Sequence, residues 1–215
     1  MAPSLPIRSN ARMPTVFFAR HGHVDNPGDV FYGSDLVLSA IGRAQVRDAA
    51  ECLASREDRP RAIVCSPWPR ARESAEIYAN RLGIPSVATD ARLTDWDAGP
   101  WVGQPRTAFR NALGYDLVPP NIVFPPEVEA LEAAGSRVLA AMKDVVAAHP
   151  EGPVLIVAHR EPLVAALLRL RGEPLQGIRA LKMPVGSAWR ILLDAGGSCR
   201  SAEPVFITEG FPASG

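Results

Sequence analysis

An α/β fold is predicted for this chain: a three-layer sandwich in which helices cover both faces of a mostly parallel central sheet. Three observations lead there. Short apolar runs, VFFA, AIVC and VLIVA, read as buried strands because no polar residue alternates within them. Stretches with helical spacing of apolar residues separate those runs, and strand–helix alternation builds parallel sheets covered on both sides. The first and third runs end directly in arginine or histidine and the second leads to arginines at the start of the next helix, on the side where open α/β sheets hold their ligands.

Residues 14–19 are the first expected strand, and 23–37 a loop rich in Gly, Asp and Asn. A helix follows over 38–55. Ser39 is placed to cap its N-terminus, and Ile41, Val46, Ala49, Ala50 and Leu53 fall roughly on one face. The second strand spans 61–65. The next helix, 69–82, has a proline in its first turn and Gly83 just past its end, the asymmetry that helices favour. Residues 87–89 make a short strand. From 94 to 103 the chain reads as loop, and 104–125 as irregular, because Pro105, Pro119, Pro120 and Pro125 interrupt it. The longest helix is expected over 127–149, where Val128, Leu131, Val138, Leu139, Met142, Val145 and Val146 form an apolar stripe. A strand at 153–158, a helix at 162–170 and late strands at 189–193 and 205–208 complete the pattern. With no internal repeat and no polar linker, residues 14–215 are expected to form a single domain behind a flexible tail, residues 1–13.

The 215 residues carry 23 Lys and Arg against 23 Asp and Glu, a net charge of zero. That balance argues against nucleic acid or a membrane surface as partner, and leaves room for a local basic pocket. No apolar run reaches the roughly 18–20 residues of a membrane span. Residues 1–13 lack the apolar stretch of a secretory signal, so the expected location is cytoplasmic. Cys52, Cys65 and Cys199 are an odd set without a CxxC pair, which suggests neither a disulfide framework nor a zinc site.

The chemistry gathers at the strand ends. Arg20-His21-Gly22-His23 sets a guanidinium beside an imidazole, two groups that repel when both are charged, where a strand end needs only turn residues. The second run leads into Arg70 and Arg72 at the start of the next helix, and the third ends in His159-Arg160-Glu161. Together at one sheet edge, two histidines and several arginines suit a phosphoryl group. Arginine's planar fork matches phosphate oxygens, and helix N-termini add N–H donors. Singly, these residues have plainer readings: a histidine at a strand end is commonly structural, and Arg70 and Arg72 would form a solvated face with Glu73 and Glu76. Their joint occurrence favours a site.

In these residues the chain resembles the histidine phosphatase superfamily, the phosphoglycerate-mutase-like fold. Arg20-His21-Gly22 matches the family's Arg-His-Gly signature. LSAIGRAQV at 38–46 is similar to its Leu-Thr-x-x-Gly-x-x-Gln-Ala helix, and CSPWPRARESA at 65–75 to its Ser-Ser-Pro-x-x-Arg-Ala-x-x-Thr-Ala segment. LTDWDAGPWVG at 93–103 resembles its Leu-x-Glu-x-x-x-Gly-x-Trp-x-Gly loop, and VLIVAH at 154–159 the apolar strand that ends in a second histidine. The motifs run in the family's order over about residues 15–170.

The resemblance implies that His21 is a nucleophile that becomes a phosphohistidine. It must then be neutral, which neighbouring positive charge favours. Arg20, Arg70 and His159 would hold the phosphoryl oxygens. Gly22 would let the backbone turn beneath them, and Asn26 stands near the family's downstream phosphate-binding asparagine. Asp95 falls at the general acid/base position, where many members carry Glu; Asp97 and Glu161 are the alternatives. Tyr32 and Gly33 lie in the loop that borders the substrate in relatives. Arg160 replaces the glycine common after the second histidine, and either reaches a further anionic group on the substrate or pairs with Glu161. His23, where Glu is frequent, is open between a surface residue and a substrate contact. Arg72 is expected to be structural and Cys65 a packed small residue. No metal and no cofactor is implied.

The implied activity is that of a metal-independent phosphomonoesterase, a histidine acid phosphatase-type enzyme acting on a small phosphorylated metabolite. Phosphoglycerate mutases of the superfamily carry a longer lid than the proline-rich stretch here, and an open pocket admits water to the phosphohistidine. A mutase-type phosphotransferase and a catalytically weak phosphate-binding module are the alternatives. Phe109, Leu113, Tyr115, Val118, Ile122 and Val123, within 104–126, serve either to cap the pocket or to pair two subunits of a homodimer.

Overall fold

The computed structural model describes residues 13–113 and 125–208. The expected tail at 1–13 lies outside the described residues except for Met13, as do Tyr115, Val118, Ile122 and Val123. The strands are β1 (Thr15–Arg20), β2 (Ala62–Cys65), β3 (Ala88–Thr89), β4 (Val154–Ala158), β5 (Ala188–Leu193) and β6 (Cys199–Phe206). The helices are α1 (Ala40–Ala54), α2 (Pro69–Leu82), α3 (Arg106–Leu113), α4 (Leu131–Ala148) and α5 (Arg160–Leu170). All six strands join one sheet in the order β3-β2-β4-β1-β5-β6.

The sheet is mostly parallel, as its apolar strands require. β4 lies between β2 and β1 and is parallel to both, with Leu155 opposite Ile63 on one side and Phe17 on the other. Only β5 runs against the rest, antiparallel to β1 and to β6. Alternate residues of β1 and β4 feed two cores, because successive side chains on a strand point to opposite faces. Val16, Phe18, Val154 and Ile156 pack with Leu131, Val138 and Met142 of α4 and Leu163 and Leu167 of α5. Phe17, Ala19, Leu155 and Val157 pack with Val46, Ala50 and Leu53 of α1 and Ala75 and Tyr78 of α2. Among the described residues no helix is long and apolar enough to cross a membrane.

The helix ends follow local chemistry. Ser39 caps α1 by accepting the Gly42 N–H, and α2 closes on Gly83 in the left-handed region at φ 71°. Five expectations need correction, the first being the last strand, expected at 205–208 and found at Cys199–Phe206. The stretch 104–125, read as irregular, contains α3; Pro105 just precedes it, where a missing N–H costs nothing, and buried Phe109 anchors it against Phe31 and Trp101. Helix α4 begins at Leu131 rather than 127, because the preceding turn serves another loop: the Glu129 N–H donates to the Asp97 carbonyl. Helix α5 begins at Arg160 rather than Pro162, since a proline in the first turn breaks no helical hydrogen bond. Ile41, assigned to the buried face of α1, is 43% exposed.

Candidate active site

Because β2, β4 and β1 are adjacent and parallel, their carboxyl ends fall side by side. Backbone hydrogen bonds extend this alignment past the strands. The His21 N–H donates to the Ala158 carbonyl at 3.1 Å, and the Ser66 N–H to the Val157 carbonyl at 2.9 Å. The rings of His21 and His159 consequently stand edge to face, 5.1 Å apart.

His21 is buried and its Nδ1 lies 2.7 Å from the Gly22 carbonyl oxygen. A carbonyl only accepts, so Nδ1 carries the proton and Nε2 keeps a free lone pair. Burial, then electrostatic coupling to His159 and the charges of Arg70 and Arg20, holds its pKa well below the ordinary value of 6.5. The ring is neutral and its unprotonated nitrogen is the nucleophilic one.

Three buried side-chain nitrogens near it have no hydrogen-bond partner among the described residues: Arg20 Nε, Arg70 Nε and His159 Nδ1. Orphaned buried donors are costly, and their clustering marks a place for an anion. Arg20 is oriented by donating from Nη1 to the Met183 carbonyl at 3.0 Å. Arg70 is fully buried; Nη1 donates to the Gly33 carbonyl at 3.0 Å and Nη2 to Asp95 Oδ2 at 2.9 Å. The Tyr32 and Trp68 rings flank its guanidinium at 4.9 and 4.6 Å, a cation–π arrangement that stiffens the fork. His159, also fully buried, has its pKa held well below 6.5 by burial first, then by Arg70, Arg20 and Arg137. Its Nδ1 stands 3.4 Å from Asp95 Oδ2, close enough to attract but without hydrogen-bond geometry.

Above this floor opens a cavity of about 310 Å³. Arg20, His21 and Asp95 line its base, Phe31, Tyr32, Trp68 and Trp96 give it aromatic walls, and Arg106, Arg160 and Glu161 supply charge. Arg70 and His159 do not line it; they meet it through Asp95, whose Oδ2 touches both.

The structure thus brings together Arg20, His21, Arg70, Asp95, His159, Tyr32, Gly33 and Arg160. Arg160 spends Nη2 on the Ile178 carbonyl at 2.8 Å and faces Glu161 at 3.3 Å. Asp97 also borders the cavity, yet is exposed and uses Oδ1 to accept the Gly99 N–H, as a turn residue does.

Other expected positions lie elsewhere. Asn26 is not on the cavity wall: its amide donates to the Val30 carbonyl and accepts the Val30 N–H, so loop closure consumes both ends. Gly22 is glycine for packing rather than for a turn beneath phosphate. A Cβ there would collide with the Gly42 carbonyl, and its N–H already donates to Ser74 Oγ at 3.2 Å. His23 leans on the helix cap, Nδ1 against Ser39 Oγ at 2.8 Å; it is half-buried and not on the cavity wall. Arg72 is exposed beside Glu76 at 3.8 Å, and the fully buried Cys65 thiol is pushed up to about 12, chiefly by burial.

Three contributors escaped the sequence reading. Arg106, on α3, borders the cavity with its guanidinium over the Phe31 ring at 5.5 Å; Pro105 ahead of it was the available signal for a helix start. Ser66 Oγ lies 2.9 Å from His159 Nε2. Arg137 of α4 donates to the carbonyls of Arg92, Thr94 and Asp95 at 2.8, 2.6 and 2.8 Å, and so holds the backbone that carries the Asp95 carboxylate. Among the described residues no three His, Cys, Asp or Glu side chains gather as metal ligands would.

Known proteins share this arrangement of chain and sheet. The uncharacterized phosphatase PhoE of Bacillus subtilis is 32% identical over 162 residues, covering 74% of this chain and 79% of that protein. A glucosyl-3-phosphoglycerate phosphatase of Mycobacterium tuberculosis is 36% identical over 169 residues, 70% of this chain and 74% of that protein. The solved structure of Bacillus stearothermophilus YhfR superposes with a TM-score of 0.80 at 25% identity, over 91% of this chain and 98% of that one. The family model for the histidine phosphatase superfamily, branch 1, matches residues 16–201, from the first strand to the last, and this chain belongs to that family.

Proposed function

We propose that the chain is a phosphomonoesterase that hydrolyses a small phosphorylated metabolite through a phosphohistidine on His21 Nε2. One observation carries the reading: a neutral, tautomer-locked His21 sits among three buried side-chain nitrogens, of Arg20, Arg70 and His159, that lack partners among the described residues. A phosphate ester supplies the missing acceptors. Its phosphoryl oxygens take the N–H groups of Arg20, Arg70 and His159, and the fixed donors stabilise charge as it redistributes. Nε2 attacks phosphorus, the bond to the ester oxygen breaks, and the departing oxygen takes a proton from the Asp95 carboxyl. In the second half Asp95 accepts a proton from water, which attacks phosphorus and frees His21 and inorganic phosphate.

Arg106 and Arg160, two cations on the cavity wall, support a substrate with a further anionic group. The name of the Mycobacterium tuberculosis relative points the same way, to esters of phosphoglycerate type. A generic aryl phosphate tests the reading. Wild type releases inorganic phosphate, His21→Ala releases essentially none, and a quenched reaction yields acid-labile phosphoprotein only with His21 present. Equal release by wild type and His21→Ala would sink the assignment.

A further inference from the structure

Ser66 is fully buried, immediately after β2. Its Oγ accepts the Trp68 backbone N–H at 3.3 Å and lies 2.9 Å from Nε2 of His159. The hydroxyl proton needs an acceptor, and among the described residues His159 Nε2 is the partner in place to accept it. An Nε2 that accepts cannot carry a proton of its own. The proton of this neutral ring is then on Nδ1, the atom that faces Asp95 Oδ2 at 3.4 Å and has no hydrogen-bond partner.

We infer that Ser66 is a positioning residue: by donating to Nε2 it fixes His159 as the Nδ1–H tautomer, so that the ring offers a donor to the phosphoryl group. In the opposite tautomer Nδ1 would present a lone pair to phosphate oxygens and repel them. Two histidines 5.1 Å apart thereby take complementary parts. The Gly22 carbonyl leaves His21 with a lone pair on Nε2, and the Ser66 hydroxyl leaves His159 with a proton on Nδ1. This inference rests on the phosphoryl-site reading above, but its first test does not involve turnover.

Two-bond 1H–15N spectra of histidine-labelled protein distinguish the two tautomers, and His159→Asn assigns the resonance. Wild type is expected to show His159 protonated at Nδ1 and unprotonated at Nε2. In Ser66→Ala the ring loses that preference. Orthovanadate binding and kcat/KM fall about tenfold to a hundredfold, the worth of a hydrogen bond to a charged group. Ser66→Thr keeps the hydroxyl and restores both. A wild-type spectrum with the proton on Nε2 overturns the inference even if Ser66→Ala fails to fold. So does a Ser66→Ala protein with unchanged tautomer and kcat/KM. Failure of the phosphohistidine reading is seen separately, as wild type that forms no acid-labile phosphoprotein while the tautomer result stands.

Discussion

Asp95 Oδ2 lies against two groups that would bind phosphate, Arg70 Nη2 and His159 Nδ1. On the proposed reading the carboxylate thus occupies part of the phosphoryl site, and substrate must push it aside before it acts as an acid. Asp97, two positions along, is exposed and spends Oδ1 on the Gly99 N–H, while Glu161 pairs with Arg160. These contacts favour Asp95 as the acid of the proposed reaction. Asp95→Asn is expected to slow turnover of alkyl phosphates by about 10²–10⁴-fold, the usual contribution of general acid catalysis. The loss should shrink for an aryl phosphate, whose leaving group needs little protonation. Asp97→Asn and Glu161→Gln should retain nearly full turnover. A large loss in Glu161→Gln with Asp95→Asn unimpaired would move the acid to the first turn of α5.

The ends of β1 and α1 meet with no side chain between them. A Cβ at Gly22 would strike the Gly42 carbonyl, and one at Gly42 the His23 carbonyl, so this pair of glycines lets α1 approach the turn after His21. Neither glycine has a positive φ, so the requirement is space rather than backbone freedom. Gly22→Ala should lower unfolding free energy by about 1–3 kcal/mol, as overpacking does. Urea denaturation followed by circular dichroism reads it, and a variant as stable as wild type would show that the loop yields freely. On the opposite face, α4 grips the Asp95 loop through Arg137, whose fork serves three carbonyls and the Glu129 carboxylate at once. Lysine, with a single ammonium, does not reproduce that geometry.

At the scale of the whole molecule, two histidines are folded in neutral form. Burial and cationic neighbours depress the pKa values of His21 and His159, whereas in the unfolded chain both titrate near 6.5. Below that value the unfolded state binds protons that the folded state refuses. Stability is therefore complete above about pH 6.5 and falls as pH drops, by about 1.4 kcal/mol per pH unit for each ring until the folded values are reached. Urea midpoints measured from pH 7 to 5 should decline, and His159→Asn should make the decline shallower. A flat profile would mean that the rings bind protons in the folded protein as readily as in the unfolded one. The sequence by itself determined the order of strands and helices apart from α3, the burial of VFFA, AIVC and VLIVA, and the set Arg20, His21, Arg70, Asp95 and His159. The elements and Arg20, His21, Arg70 and His159 rest on local periodicity and on strand ends, which a linear pattern records, whereas Asp95 was legible only through the resemblance of the 93–103 loop to a known family. Tertiary structure alone decided which nitrogen of each histidine carries a proton, why Gly22 is glycine, and that Ser66, Arg106 and Arg137 join the site while Asn26 and His23 do not. Ser66 and His159 stand 93 positions apart, and Arg137 and Asp95 42 apart. Such partnerships depend on where buried donors and acceptors meet after the chain closes, and spacing in sequence carries no trace of them.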